Sequence, residues 1–276
     1  MTGLMTGKRG LVMGVANDHS IAWGIAKALA DQGAELAFTY QGEAFGRRVR
    51  PLADSVGAKH LLPCDVEDVT TVDKVFETLA ADWGSIDFLV HAIAFSDKNE
   101  LKGRYADTTR ENFVRTMVIS CFSFTEIAKR AAALMTKGGS IVTLTYGGAT
   151  RVMPNYNVMG VAKAALESSV RYLAGDFGSQ GVRVNAISAG PVRTLAGAGV
   201  TDARLMFNYQ RKNSPLRRTV SIEEVGGSAL YLLSHLSSGV TGEVHFVDSG
   251  YNIMSMPRLD ELKTQERREQ ADEVTG

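Results

Sequence analysis

The stretch TYGGATRVMPNYNVMGVAK, residues 145–163, sets two phenols and one ammonium among small and apolar residues. Tyr156 and Lys163 are two helical turns apart, so a helix beginning near Tyr156 turns both to one face. Tyr146 ends the apolar run that precedes them. A phenol can donate a hydrogen bond to an oxygen that gains charge during a reaction. A lysine ammonium beside it can hold ribose hydroxyls and can favour the ionised phenol. Ordinary helix surface is the plain alternative, with Tyr156 at the helix start and Lys163 one more solvated lysine. The neighbours weigh against it. Val161, Ala162, Ala164 and Ala165 are a poor setting for a lone charge, which needs a partner there. The two hydroxyls of a nicotinamide ribose are such a partner.

Positioning these groups falls to an alternation of strands and helices. Apolar runs at 9–14, 34–40, 59–66, 85–95, 139–146, 182–190 and 242–250 read as seven strands. Between them, 21–33, 68–84, 110–137, 157–181 and 221–235 read as helices, the last with a capping box of Ser221 and Glu224. A more polar helix follows Gln41, and Pro51 is expected to bend or split it. The pattern predicts one α/β domain, Rossmann-like and doubly wound, with a seven-stranded, mostly parallel sheet and helices on both faces. Residues 1–6 read as a flexible lead, 7–256 as the dinucleotide-binding and catalytic domain, and 257–276 as a charged tail that is frayed or docked on a neighbour.

Doubly wound sheets bind ligands at the carboxyl ends of their strands. The first such end, GVANDHSIAWG at 14–24, is neither GxGxxG nor a phosphate loop. Gly14 permits a tight exit, Ser20 can meet a pyrophosphate oxygen beside the helix amides, and Gly24 lets the helix pack closely. A plain strand–turn–helix with Ser20 as N-cap fits the loop equally well. Gln41 ends the second strand and can bond the adenosine ribose; it brings no charge to repel a 2′-phosphate, and Arg47 and Arg48 read as solvated surface. Asp65 and Val66 leave the third strand where an adenine would lie, or cap the next helix. Ile93 leaves the fourth among small residues, at a cofactor approach or a buried strand end. Together these consecutive strand ends point to a dinucleotide, with NAD favoured over NADP.

The composition excludes several classes. Lys plus Arg and Asp plus Glu are both 30, so no basic excess supports general nucleic-acid binding. The two cysteines, Cys64 and Cys121, form neither a metal spacing nor a disulfide framework, which favours a reduced cytoplasmic setting. The five histidines lack ligand spacing, so no metal is expected. There is no G-x-S-x-G for a hydrolase and no apolar run long enough for a membrane span.

GVANDHSIAWG, CDV, the Tyr156-x6-Lys163 pair and AGPVRTLA together resemble the enoyl-[acyl-carrier-protein] reductases of bacterial fatty-acid synthesis, within the short-chain dehydrogenase/reductase superfamily. The resemblance spans about residues 7–256. It implies reduction of the carbon–carbon double bond of trans-2-enoyl thioesters by hydride from NADH. Tyr146, Tyr156 and Lys163 are the implied catalytic residues, with Tyr156 donating to the thioester oxygen. The implied cofactor contacts are Gly14, Ser20, Ile21, Gln41, Asp65, Val66, Ile93 and Lys163, with Val192, Arg193, Thr194, Leu195 and Ala196 at the nicotinamide end. Ser96, Tyr156 and Met206 are the implied substrate contacts, and about 193–213 a lid with Gly197 and Gly199 as hinges. Ala94 stands where many relatives have glycine. Better-known superfamily members carry Tyr-x3-Lys, but the matching position here is Met159, which argues against ketone reduction. A dinucleotide-sensing regulator is disfavoured by the presence of all three catalytic candidates. An acyl carrier protein as partner and a homotetramer are also implied, with the helices at 110–137 and 157–178 as subunit faces.

Overall fold

Runs of branched and aromatic residues, each closed by a turn, make a central sheet that the helices cover on both sides. The computed structural model describes residues 3–192, 203–260 and 262–264. The strands are β1 (Arg9–Met13), β2 (Glu35–Tyr40), β3 (His60–Pro63), β4 (Phe88–His91), β5 (Gly139–Thr145), β6 (Val182–Ala189) and β7 (Val244–Val247). Their order is β3-β2-β1-β4-β5-β6-β7. The mostly parallel sheet expected from the pattern is parallel at every described pairing. The order reverses between β1 and β4, which opens a crevice at the carboxyl ends.

The helices are α1 (Ile21–Asp31), α2 (Gly42–Ser55), α3 (Val69–Trp83), α4 (Arg110–Met117), α5 (Ser123–Leu134), α6 (Asn157–Phe177), α7 (Ala203–Asn213) and α8 (Ile222–Leu233). Both sheet faces are buried, as continuous apolar strands require. Leu11, Met13, Leu89, Ile141 and Val184 pack on one side with Leu79 and Phe124. Val12, Val90, Val142 and Ile187 pack on the other with Ile25, Leu29 and Val225. That alternation is the two-residue period of a strand. Ser221 and Glu224 form the expected capping box at α8.

Three local readings are corrected. Pro51 lies inside an unbroken α2. It is exposed, so the carbonyl it leaves without a helical donor can turn to water. The helix read at 110–137 is interrupted by a π-turn over Val118–Phe122, between α4 and α5. Its Ser120 hydroxyl accepts from the Phe95 amide and donates to the Phe95 carbonyl, both at 2.9 Å. The fourth strand therefore ends at His91, because residue 95 bonds to this π-turn instead of the sheet.

The ends of the chain are tied where they are described. Met5, within the lead read as flexible, is 1% exposed, and its amide donates to the Gln32 carbonyl at 3.0 Å. The Arg258 amide donates to Asn213 Oδ1 at 3.0 Å. Residues 265–276 of the expected tail lie outside the described residues.

Candidate active site

A cavity of about 470 Å³ opens at the carboxyl ends of β1, β2, β4 and β5. Its lining includes Gly14, Ser20, Ile21, Gln41, Val66, Ile93, Tyr146, Tyr156 and Lys163, all picked out above from sequence. Its size is that of a small-molecule or cofactor cleft. Gly14 has φ +98°, and a Cβ there would stand 2.0 Å from the Ala92 carbonyl oxygen. The close approach of the β1 and β4 exits therefore requires glycine. Gly24 does what was expected of it: a Cβ would meet the Ile222 carbonyl at 2.4 Å, so α1 and α8 touch backbone to backbone.

Ser20 does not cap α1 with its side chain. Its hydroxyl accepts from the Ala16 amide at 3.0 Å and the Asn17 amide at 3.1 Å, and donates to Asn17 Oδ1 at 3.2 Å. It closes the loop on itself, and the first amides of α1 have no side-chain cap competing for them. Gln41 Nε2 donates to Asp65 Oδ2 at 3.0 Å, which links the ends of β2 and β3. Asp65 stands behind Gln41 and does not itself line the cavity. The cap of the next helix is Asp68, which accepts from the Thr70 amide.

The three catalytic candidates meet where β5 passes into α6. Tyr146 follows the last residue of β5, and Tyr156 precedes the first residue of α6. Their rings stand edge to face with centroids 5.2 Å apart. Lys163 is 6% exposed, and its Nζ donates to the Leu144 carbonyl at 2.8 Å. That carbonyl is the partner its apolar neighbours demanded. Burial lowers its pKa to about 8, with Cys121 and then the Glu167 carboxylate acting in the opposite direction. Glu167, one turn further along α6, accepts from Thr145 Oγ1 at 2.7 Å.

One electrostatic expectation is overturned. Lys163 does not favour ionised Tyr156. Burial first, and then the neighbouring Tyr146, push that phenol well above its ordinary value. Burial likewise raises Tyr146, against a hydrogen bond from Gln210. Both phenols stay protonated and can donate.

Other expected contacts separate. Ser96 turns its hydroxyl to Asn112 Oδ1 at 3.3 Å and Thr116 Oγ1 at 2.9 Å and does not line the cavity. Its position past the strand end was legible, but the pull of these buried polar groups was not. Met206 is half-buried on α7, and Val192 is half-buried after β6, outside the residues lining the cavity. Arg193, Thr194, Leu195 and Ala196, with Gly197, Gly199 and the rest of the lid through 202, lie outside the described residues.

Sequence reasoning missed three groups. Gln210 Nε2 donates to the Tyr146 hydroxyl at 2.9 Å. Its signal was a polar residue four places after Met206, on the same helical face. His91 is fully buried, with Nδ1 3.3 Å from Thr143 Oγ1 and Nε2 3.0 Å from Ser123 Oγ. Burial, and then Lys163, lower its pKa to about 3. Glu167 carried no signal beyond its spacing from Lys163. Among the described residues no group of histidine, cysteine or carboxylate side chains is placed to hold a metal ion. No described helix is long and apolar enough to cross a membrane.

A family model described as enoyl-(acyl carrier protein) reductase matches residues 14–252. The chain is 75% identical over 263 residues to enoyl-[acyl-carrier-protein] reductase [NADH] 2 of Rhizobium meliloti, covering 95% of this chain and 98% of that one. The crystal structure of FabI from Candidatus Liberibacter asiaticus superposes with TM-score 0.91 at 60% identity, covering 94% of this chain and 100% of that one. The enoyl-(acyl-carrier-protein) reductase of Anaplasma phagocytophilum in complex with NAD gives TM-score 0.91 at 59% identity, covering 94% and 99%.

Proposed function

This chain belongs to the enoyl-(acyl carrier protein) reductase family, and from that premise we infer the parts its residues take in the reaction. The activity is NADH-dependent reduction of trans-2-enoyl-[acyl-carrier-protein] thioesters, the last reductive step of the fatty-acid elongation cycle. One observation carries the residue assignment: Tyr156 and Lys163 line one cavity at the strand ends, with the Tyr146 ring packed against Tyr156.

The cavity fits NADH in size, in its glycine-walled entry at Gly14, and in its buried cation at Lys163. The cofactor supplies hydride to the β-carbon of the substrate. Gly14, Ser20 and Ile21 would border its pyrophosphate, Gln41 would meet the adenosine ribose and Val66 the adenine, and Ile93 would stand at the nicotinamide end, with Val192 adjoining from outside the cavity lining. Lys163 holds the nicotinamide ribose hydroxyls. Tyr156, its proton retained by burial, donates to the thioester oxygen as charge gathers there. Ser96, held by Asn112 and Thr116, and Met206 on α7 are the proposed contacts to the acyl chain, reached beyond the described cavity lining.

Met159 separates this reaction from ketone reduction. It is buried against Leu101 and Val158, and a thioether donates no proton to a carbonyl. The test is NADH oxidation with a trans-2-enoyl thioester and with a 3-ketoacyl thioester. Turnover is expected with the first alone; comparable turnover of the second overturns the reading.

The exposed apolar residues Val114, Phe122 and Tyr172 support subunit faces on α4, the π-turn and α6, as a homotetramer needs. Light scattering at four times the chain mass tests this. Two free, buried cysteines fit a reduced cytoplasmic setting, and the carrier-linked substrate makes the acyl carrier protein the transient partner.

A further inference from the structure

Gln210 is 5% exposed on α7, yet it lines none of the larger cavity. It borders a second, smaller cavity of about 140 Å³, and Tyr146 is the wall between the two. The Gln210 amide donates to the Tyr146 hydroxyl at 2.9 Å. A phenol oxygen that accepts from an amide still has its own proton to place. Asp248 lines the smaller cavity, but its oxygens take the Gly250 amide and both nitrogens of Asn252, and no described hydrogen bond joins it to Tyr146. The platform under Gln210 is firm. Its carbonyl accepts from the Ser214 amide at 2.7 Å, and the buried Asn213 beside it accepts from the Arg258 amide.

We propose that Gln210 is a positioning residue for the reduction: by donating to Tyr146 it turns that hydroxyl's proton toward the substrate cavity, so that Tyr146 is set for donation only while α7 is seated. This rests on the reading that Tyr146 belongs to the reacting wall. Gln210 touches neither substrate nor cofactor and acts through the phenol alone. Tyr146→Phe would remove the acceptor and leave a buried amide without its partner, so the two residues form one energetic unit.

The test is a double-mutant cycle with NADH and a trans-2-enoyl thioester. Gln210→Leu is expected to lower kcat about fivefold, the size of one neutral hydrogen bond, with NADH affinity unchanged. In a Tyr146→Phe background the same change should cost nothing further. Gln210→Glu reverses the bond, since a carboxylate accepts the phenol's proton, and should lower kcat more than Gln210→Leu. If Tyr146→Phe is impaired while Gln210→Leu keeps the wild-type kcat, or if the two losses multiply, the proposal is overturned. If Tyr146→Phe itself turns over like wild type, the active-site reading of Tyr146 falls and takes the proposal with it. Should Gln210→Leu fail to fold, Gln210→Glu alone and in the Tyr146→Phe background makes the same comparison.

Discussion

The Lys163 ammonium donates to the carbonyl of Leu144, two residues before Tyr146, so one buried cation ties α6 to the strand that delivers the first candidate phenol. Its pKa lies near 8 and not at the ordinary lysine value of 10.5. The ammonium is therefore lost as pH rises through about 8 in the free protein. If Lys163 holds the ribose as a cation, the Kd for NADH should rise above that pH, with the inflection moved upward in the complex because bound hydroxyls favour the charged form. Fluorescence titration between neutral and strongly basic pH measures it. A flat profile, or the same profile in Lys163→Met, contradicts the assignment.

Gln41 and Asp65 form a hydrogen-bonded pair at the ends of β2 and β3, the proposed adenosine end. The amide of Gln41 is held by the Asp65 carboxylate, which places a negative charge just behind the proposed ribose contact. A 2′-phosphate would meet that charge, and Arg48, stacked on the Phe45 ring at 5.9 Å, is the described cation on the same side. NADH should therefore have the higher kcat/KM, and Asp65→Asn should narrow the gap to NADPH. Equal values in the wild type, or a gap unchanged by Asp65→Asn, sink the idea.

Gly14→Ala should be costly twice over. Its φ of +98° is strained for alanine, and the added methyl would stand 2.0 Å from a backbone oxygen. A loss of about 2–4 kcal/mol in stability follows, with weakened NADH binding because the β1 and β4 exits are forced apart. Urea unfolding and NADH titration measure both, and a variant of wild-type stability and affinity contradicts the close approach.

His91 makes the fold sensitive to acid. Its folded pKa is about 3 against an ordinary 6.5. Below pH 6.5 the unfolded chain binds a proton that the native state refuses, so stability is lost as pH falls from 6.5 toward 3, by about 1.4 kcal/mol per unit. His91→Gln, which does not titrate, should show a shallower loss between pH 7 and 5. Equal slopes would mean that other groups carry the acid sensitivity.

The alternation of apolar runs and helical spacing carried the sheet, because apolar residues dominate strands buried on both faces even where single polar residues such as Thr39, His91 and Asn185 are buried among them. The cavity was legible at Gly14, Ser20, Gln41 and Ile93, since strand ends in a doubly wound sheet converge by topology. Ser96 shows the limit: Asn112 and Thr116, which capture its hydroxyl, come from a helix more than ten residues away in sequence. The π-turn at Val118–Phe122 left no mark in the periodicity, because one widened turn shifts the helical phase without breaking it. Gln210 offered only its spacing from Met206 and His91 offered nothing, for a related reason: a buried polar side chain is identified by its partner, and Tyr146, Thr143 and Ser123 lie on other elements.

Everything turns on Tyr156 donating to the oxygen that gains charge. The direct measurement is the single-turnover rate of hydride transfer to a trans-2-enoyl thioester in Tyr156→Phe, with a deuterated nicotinamide to isolate the step and with NADH affinity measured alongside. The account predicts a slower transfer, by roughly 1–4 kcal/mol of barrier, with NADH binding intact. Met159→Tyr added to that variant should not restore it, because position 159 is buried against Leu101 and Val158. Hydride transfer at the wild-type rate in Tyr156→Phe would contradict the account.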